Sequence, residues 1–200
     1  MTSSSARSAE AACHELLLRL ADRLPADLLW RLRDWLAAGA RSSLASTLPR
    51  ELLRNRVGLT DTESELLAAS AGKWGASQRL LDSLLPATGS REPAATFSTG
   101  DGPVDTAALC VLAVVRDHPG CVELRQAWRG DEHGSQRVVI VHGGDQPWRL
   151  TGTAQRLLRA HGDRTPCVEV LPPHGEPTPY HKAAIIGSAP LWRTTAPATV

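Results

Sequence analysis

Leucine recurs at three- and four-residue spacing through the first 85 positions, and Pro25, Gly39, Pro49, Gly58, Gly72 and Pro86 interrupt it. Apolar residues at that spacing line one side of a helix. Proline lacks a backbone donor and glycine favours helix ends, so each interruption limits how far a helix runs. The stretch is therefore restricted to several short helices that pack stripe against stripe.

Residues 1–7 are polar and are expected to fray, with Ser8 as the N-cap of a first helix. Cys13, Leu16, Leu17, Leu20, Ala21 and Leu24 make its stripe. Pro25 suits the first turn of a second helix, which carries Leu28, Leu29, Leu32, Trp35 and Leu36 and stops at Gly39. Pro49 opens a short third helix with Leu52 and Leu53, closed by Gly58. Thr60 with Glu63, or Thr62 with Glu65, forms a capping box for a helix through Leu66, Leu67 and Ala71 to Gly72. A last helix spans roughly 77–85.

Residues 86–103, PATGSREPAATFSTGDGP, change character: Pro, Gly, Ser and Thr surround Phe97, the composition of a linker. Beyond it, Asp105 or Thr106 caps a helix to about Asp117, apolar almost all round and hence expected to be buried; a strand over 109–115 competes. CVELRQAW and RVVIVH flank a polar turn and pair as a hairpin, with a helix over 121–128 as the alternative. Val138–Val141 is a strand, Thr151 starts a helix to about His161, and Cys167–Leu171 is the next strand. That crossover is long enough for a parallel β-α-β unit. Thr178 and Pro179 begin a final helix through Ala183, Ala184 and Ile186. The expected fold is mixed, α+β with α/β character: an N-terminal helical bundle (1–85), a linker (86–103), a small α/β domain with a β-α-β unit (104–194) and a tail (195–200).

Charge excludes a broad basic field for nucleic acid: residues 1–85 carry 11 basic and 10 acidic side chains, and residues 86–200 carry 11 of each. No apolar stretch approaches the roughly 20 residues of a membrane span. The N-terminus has no cationic region followed by an apolar one. Cys13, Cys110, Cys121 and Cys167 form no CxxC pair, and three lie in apolar runs. A cytoplasmic protein is expected. Abundant Ala, Arg and Gly with only Lys73 and Lys182 suggest a GC-rich bacterial genome.

Three segments carry candidate chemistry. VVIVHGGD, residues 138–145, resembles the oxyanion loop of lipase-like α/β-hydrolases, but no GxSxG follows. Its milder reading is a small-ligand site: Gly143, Gly144, Asp145 and the helix start at Thr151 lie beyond a strand's carboxyl end, where freed N–H groups hold an anion. No GxGxxG or P-loop pattern is present. His118-x2-Cys121 has metal-ligand spacing but lacks the second close pair of a zinc site, and His118-Pro119-Gly120 reads as a turn. LTDTESELLAASAG, residues 59–72, resembles the opening of a LuxR-type helix-turn-helix at Leu59, Thr60, Glu63, Glu65 and Leu67. It departs at Gly72-Lys73-Trp74-Gly75, and the would-be recognition helix offers only Arg79. Arg41, Arg50, Arg54 and Arg56 form a local basic stretch opposed by Glu51. Asp61, Glu63 and Glu65 complement a helix dipole. No catalytic residue, metal ligand or cofactor is assigned.

Leu29, Trp30, Arg33 and Trp35 are the candidate interaction residues, because Leu and Trp on this helix exceed one stripe and Arg31, Arg33 and Asp34 supply a polar rim. The layout resembles the helical effector-associated adaptor domains of bacterial signalling and conflict systems, which pair with like domains. That resemblance implies a non-catalytic adaptor, binding another protein or itself through the N-terminal helices; the balanced charge argues against a nucleic-acid partner and the lack of a long apolar stretch against a membrane. The competing readings are a ligand-binding or enzymatic α/β domain using residues 143–145, and a DNA-binding regulator.

Overall fold

The computed structural model describes residues 2–87, 95–100, 104–131, 134–173 and 175–194. Among them are eight α-helices and a mixed five-stranded sheet, an α+β fold with the N-terminal helices preceding the strand-containing region. The chain divides into two compact units, Met1–Glu92 and Pro93–Val200.

The first unit holds α1 (Thr2–Arg19), α2 (Ala26–Ala37), α3 (Arg41–Arg54), α4 (Asp61–Leu67) and α5 (Gln78–Asp82). Neither Pro nor Gly occurs in Thr2–Arg19, so α1 extends back beyond Ser8, the expected cap. Leu16, Leu17, Leu20, Leu32, Leu36, Leu44, Leu48 and Leu52 form its buried centre. Pro49 does not open α3 but lies buried inside it. The helix ends at Arg54, and Arg56 turns the chain at φ 52.

The capping box forms as the sequence predicts. Glu63 N–H donates to Thr60 Oγ1, and Thr60 N–H donates to Glu63 Oε2 at 3.0 Å. Arg23 ties this corner to α1's end by donating to the Gly58 carbonyl at 2.8 Å and pairing with Glu63. The helix continues through a π-helical segment, Ala68–Gly72. There, buried Ser70 donates to the Leu66 carbonyl at 2.7 Å. The last helix is shorter than 77–85 because the chain after Asp82 extends to pair with Leu59, whose N–H donates to the Leu85 carbonyl at 2.8 Å. Gly58 allows that approach: a Cβ there would lie 2.5 Å from the Pro86 carbonyl oxygen.

The second unit is a sheet of β1 (Thr96–Ser98), β2 (Cys121–Asp131), β3 (Gly134–Gly143), β4 (Cys167–Leu171) and β5 (Ala189–Arg193), with α6 (Thr106–Asp117), α7 (Pro147–Ala160) and α8 (Pro179–Ile186). The order is β1-β2-β3-β4, and β5 also pairs with β2. The predicted hairpin is β2 with β3, not a helix over 121–128, and β3-α7-β4 is the predicted parallel unit.

One expectation is corrected here. Residues 96–98, read as linker, pair with Trp128–Gly130 as a strand; residues 88–94 and 101–103 lie outside the described residues. Residues 189–193 form β5, which no sequence pattern announced. The tail 195–200 lies outside the described residues.

Asp105 caps α6, accepting from the Ala108 N–H at 2.9 Å. Its carboxylate also pairs with Arg137 of β3, which holds its pKa below the usual range. Side chains alternate across the sheet. Leu124, Val139, Val141, Val168 and Val170 pack against Val111 and Val115 of α6 and Leu150, Ala154 and Leu158 of α7. Val138, Ile140, Cys167, Glu169 and Leu171 therefore face the other way, toward α8, whose residues bond to Cys167 and Glu169. α6 is buried on its inner side alone: Leu109 is 52% exposed, a departure from the helix expected to be covered all round.

Candidate functional site

The loop after β3 returns to the turn before β2. Gly143 and Gly144 adopt φ 81 and 109, where L residues are strained. A Cβ on Gly143 would lie 2.2 Å from the Gly120 carbonyl oxygen. Gly144 N–H donates to that carbonyl at 2.9 Å, and Asp145 N–H donates to the Pro119 carbonyl at 2.9 Å. His118 Nε2 lies 2.7 Å from the Asp145 carbonyl oxygen; a carbonyl only accepts, so Nε2 carries the proton. Gly143, Gly144 and Asp145 therefore lock one turn to another, and the two N–H groups expected to meet an anion are bonded within the chain.

Thr151 is not at the helix start. α7 begins at Pro147, after Gln146 in the left-handed region at φ 47. Thr151 lies one turn inside, fully buried, with its hydroxyl donating to the Pro147 carbonyl at 2.9 Å. Burial and the Asp145 charge push the Cys121 thiol up to about 11, away from the thiolate a metal needs. Among the described residues no three His, Cys, Asp or Glu side chains converge as a metal site.

A cluster that sequence reasoning missed joins β4 to α8. Glu169 and His181 are buried, with His181 Nε2 3.2 Å from Glu169 Oε2. The Cys167 thiol donates to Glu169 Oε1 at 3.3 Å. Thr178, the cap of α8, accepts from the His181 N–H, and its Oγ1 lies 2.7 Å from His181 Nδ1. With Nε2–H donated to the carboxylate, Nδ1 is the acceptor of the threonine hydroxyl. Tyr180 packs edge-on against Phe97 of β1, and burial drives its hydroxyl well above its ordinary pKa. The available signal was a lone Glu in the apolar strand CVEVL, which needs a partner from elsewhere. With Cys167, Glu169, Tyr180 and His181 all buried, this network fastens a helix to a sheet.

Near it, Arg125 grips the end of α8, donating to Ser188 Oγ at 2.7 Å and to the Ser188 carbonyl at 3.1 Å. Glu123 accepts from both Arg125 and Arg193 at 2.7 Å. Half-buried His142 of β3 lies within the field of these charges, and burial lowers its pKa.

In the first unit, the four interaction candidates separate. Leu29 is buried, and Arg33 is 2% exposed, so neither contributes to a surface rim. Arg33 Nη2 donates to the Leu17 carbonyl at 3.4 Å. Trp30 and Trp35 are half-buried, and the Arg31 guanidinium lies 6.0 Å from the Trp35 ring. Five residues is about 140° round a helix, so the tryptophans border opposite sides of the outer face. Between them run Asp27, Arg31, Asp34 and Ala38 at spacings of four, three and four. The basic stretch is partly neutralised: Arg41 pairs with Glu10 at 2.6 Å and Arg54 with Glu51 at 2.9 Å. The expected recognition helix is α5, only Gln78–Asp82.

No protein-family model matches the chain, and neither does any curated protein or solved structure.

Proposed function

We propose that the chain is a non-catalytic protein–protein interaction protein, an adaptor of the bacterial cytoplasm, and that the outer face of α2 is its recognition surface. One observation carries this: two half-buried tryptophans border a charged line on a short helix, exposed at Asp27 and Arg31 and half-buried at Asp34, with Arg31 beside the Trp35 ring. Trp and Arg are the residue types that most often dominate interface energies. A tryptophan packed on one side keeps its rotamer, so it loses little entropy on binding. Four free thiols, two of them buried, are in keeping with a reducing compartment. The Gly143–Asp145 turn supports the competing ligand reading less well, because its N–H groups bond within the chain.

The test is a photo-cross-linking residue in place of exposed Ala38, on the same line of the full chain in the native cell, compared with one at Leu109 on α6. The expected result is a discrete protein adduct from position 38. Adducts from position 109 with none from position 38 would overturn the assignment to α2.

A further inference from the structure

We infer that the occupant of the α2 face is a second copy of this chain, its α2 running antiparallel across a two-fold axis; this rests on the interaction reading above. The order of charges along the face selects this occupant. Asp27, Arg31, Asp34 and Ala38 fall close to one line along the helix. In an antiparallel pair with the axis level with the Leu32–Arg33 peptide, Arg31 stands level with Asp34 of the second copy, and Asp34 with its Arg31. Asp27 meets Ala38, so no like charges oppose. A parallel pair instead sets Arg31 against Arg31 and Asp34 against Asp34. The face is thus self-complementary in one orientation only, the condition for an isologous interface.

The tryptophans fit the same arrangement. The two-fold axis brings Trp30 beside Trp30 along one border of the seam and Trp35 beside Trp35 along the other. Aromatic borders shield the two Arg–Asp pairs from water, which strengthens them. Asp34 also has an interaction within its own chain; a carboxylate has lone pairs enough for both.

Sedimentation of the full chain tests this. Wild type is expected to form a concentration-dependent dimer that weakens as salt rises. Arg31→Asp alone and Asp34→Arg alone place like charges opposite each other twice, and each is expected to weaken association at least tenfold. An equimolar mixture of the two is expected to recover a dimer, because only the heterodimer matches both pairs. Asp34→Asn provides a milder second variant should Asp34→Arg fail to fold, and is also expected to weaken the dimer. A monomeric wild type would overturn the inference; if position 38 still cross-links to another protein, the interaction reading survives it. A wild-type dimer indifferent to all three variants would overturn the inference, because the two copies then meet through another surface.

Discussion

Glu169 and Arg33 are buried charged residues whose partners lie outside their own elements. Each is buried by an element distant along the chain, so its partner is invisible in the local pattern. The Thr60–Glu63 box was legible because both partners lie within one turn. Arg33 looked like a rim residue between Leu32 and Asp34, yet it lies inside the leucine core. The Glu169–His181 pair makes a prediction at this scale. His181→Ala leaves a buried carboxylate short of a partner and is expected to cost about 3–5 kcal/mol. Replacing both residues by leucine removes the charge as well and is expected to cost less than His181→Ala alone. Urea denaturation of the two variants compares them. A double variant less stable than His181→Ala would show that the pair contributes net stability.

Elements with strong local signals formed where the sequence put them: β3, the β-α-β unit, and the starts of α4, α6 and α8. Others were shifted by tertiary context. Pro49 sits within α3 because burial against the leucine core outweighs the lost backbone bond. α7 starts four residues early, since Pro147 suits a first turn. β1 and β5 are short strands specified by the edge of β2, a partner no local pattern reveals. β3 tests the sheet. Ile140 is fully buried between β2 and β4 and pairs in register with Glu169. Ile140→Asp buries a charge beside a carboxylate, at a cost of several kcal/mol. The second unit is expected to lose cooperative unfolding by circular dichroism; a folded Ile140→Asp protein would contradict a doubly covered central strand.

Across the whole molecule, the helical-then-α/β plan was legible because the composition changes over residues 86–103 and apolar strand runs follow at Val138–Val141 and Cys167–Leu171. The candidate surface was only half legible. An excess of Leu and Trp on α2 was visible, but which residues turn inward depended on α1 and α3 packing against it. That packing took Leu29 and Arg33 and left Trp30, Arg31 and Trp35 at the surface. On the proposed reading, Trp35 anchors a partner rather than the core. The affinity of full-length Trp35→Ala for that partner, measured below the melting temperature of both chains, decides between the two. The expected result is a loss of about 2 kcal/mol, roughly thirtyfold in Kd, with the fold intact. An unchanged Kd, with stability falling instead by about 3–5 kcal/mol as for a core tryptophan, would contradict it.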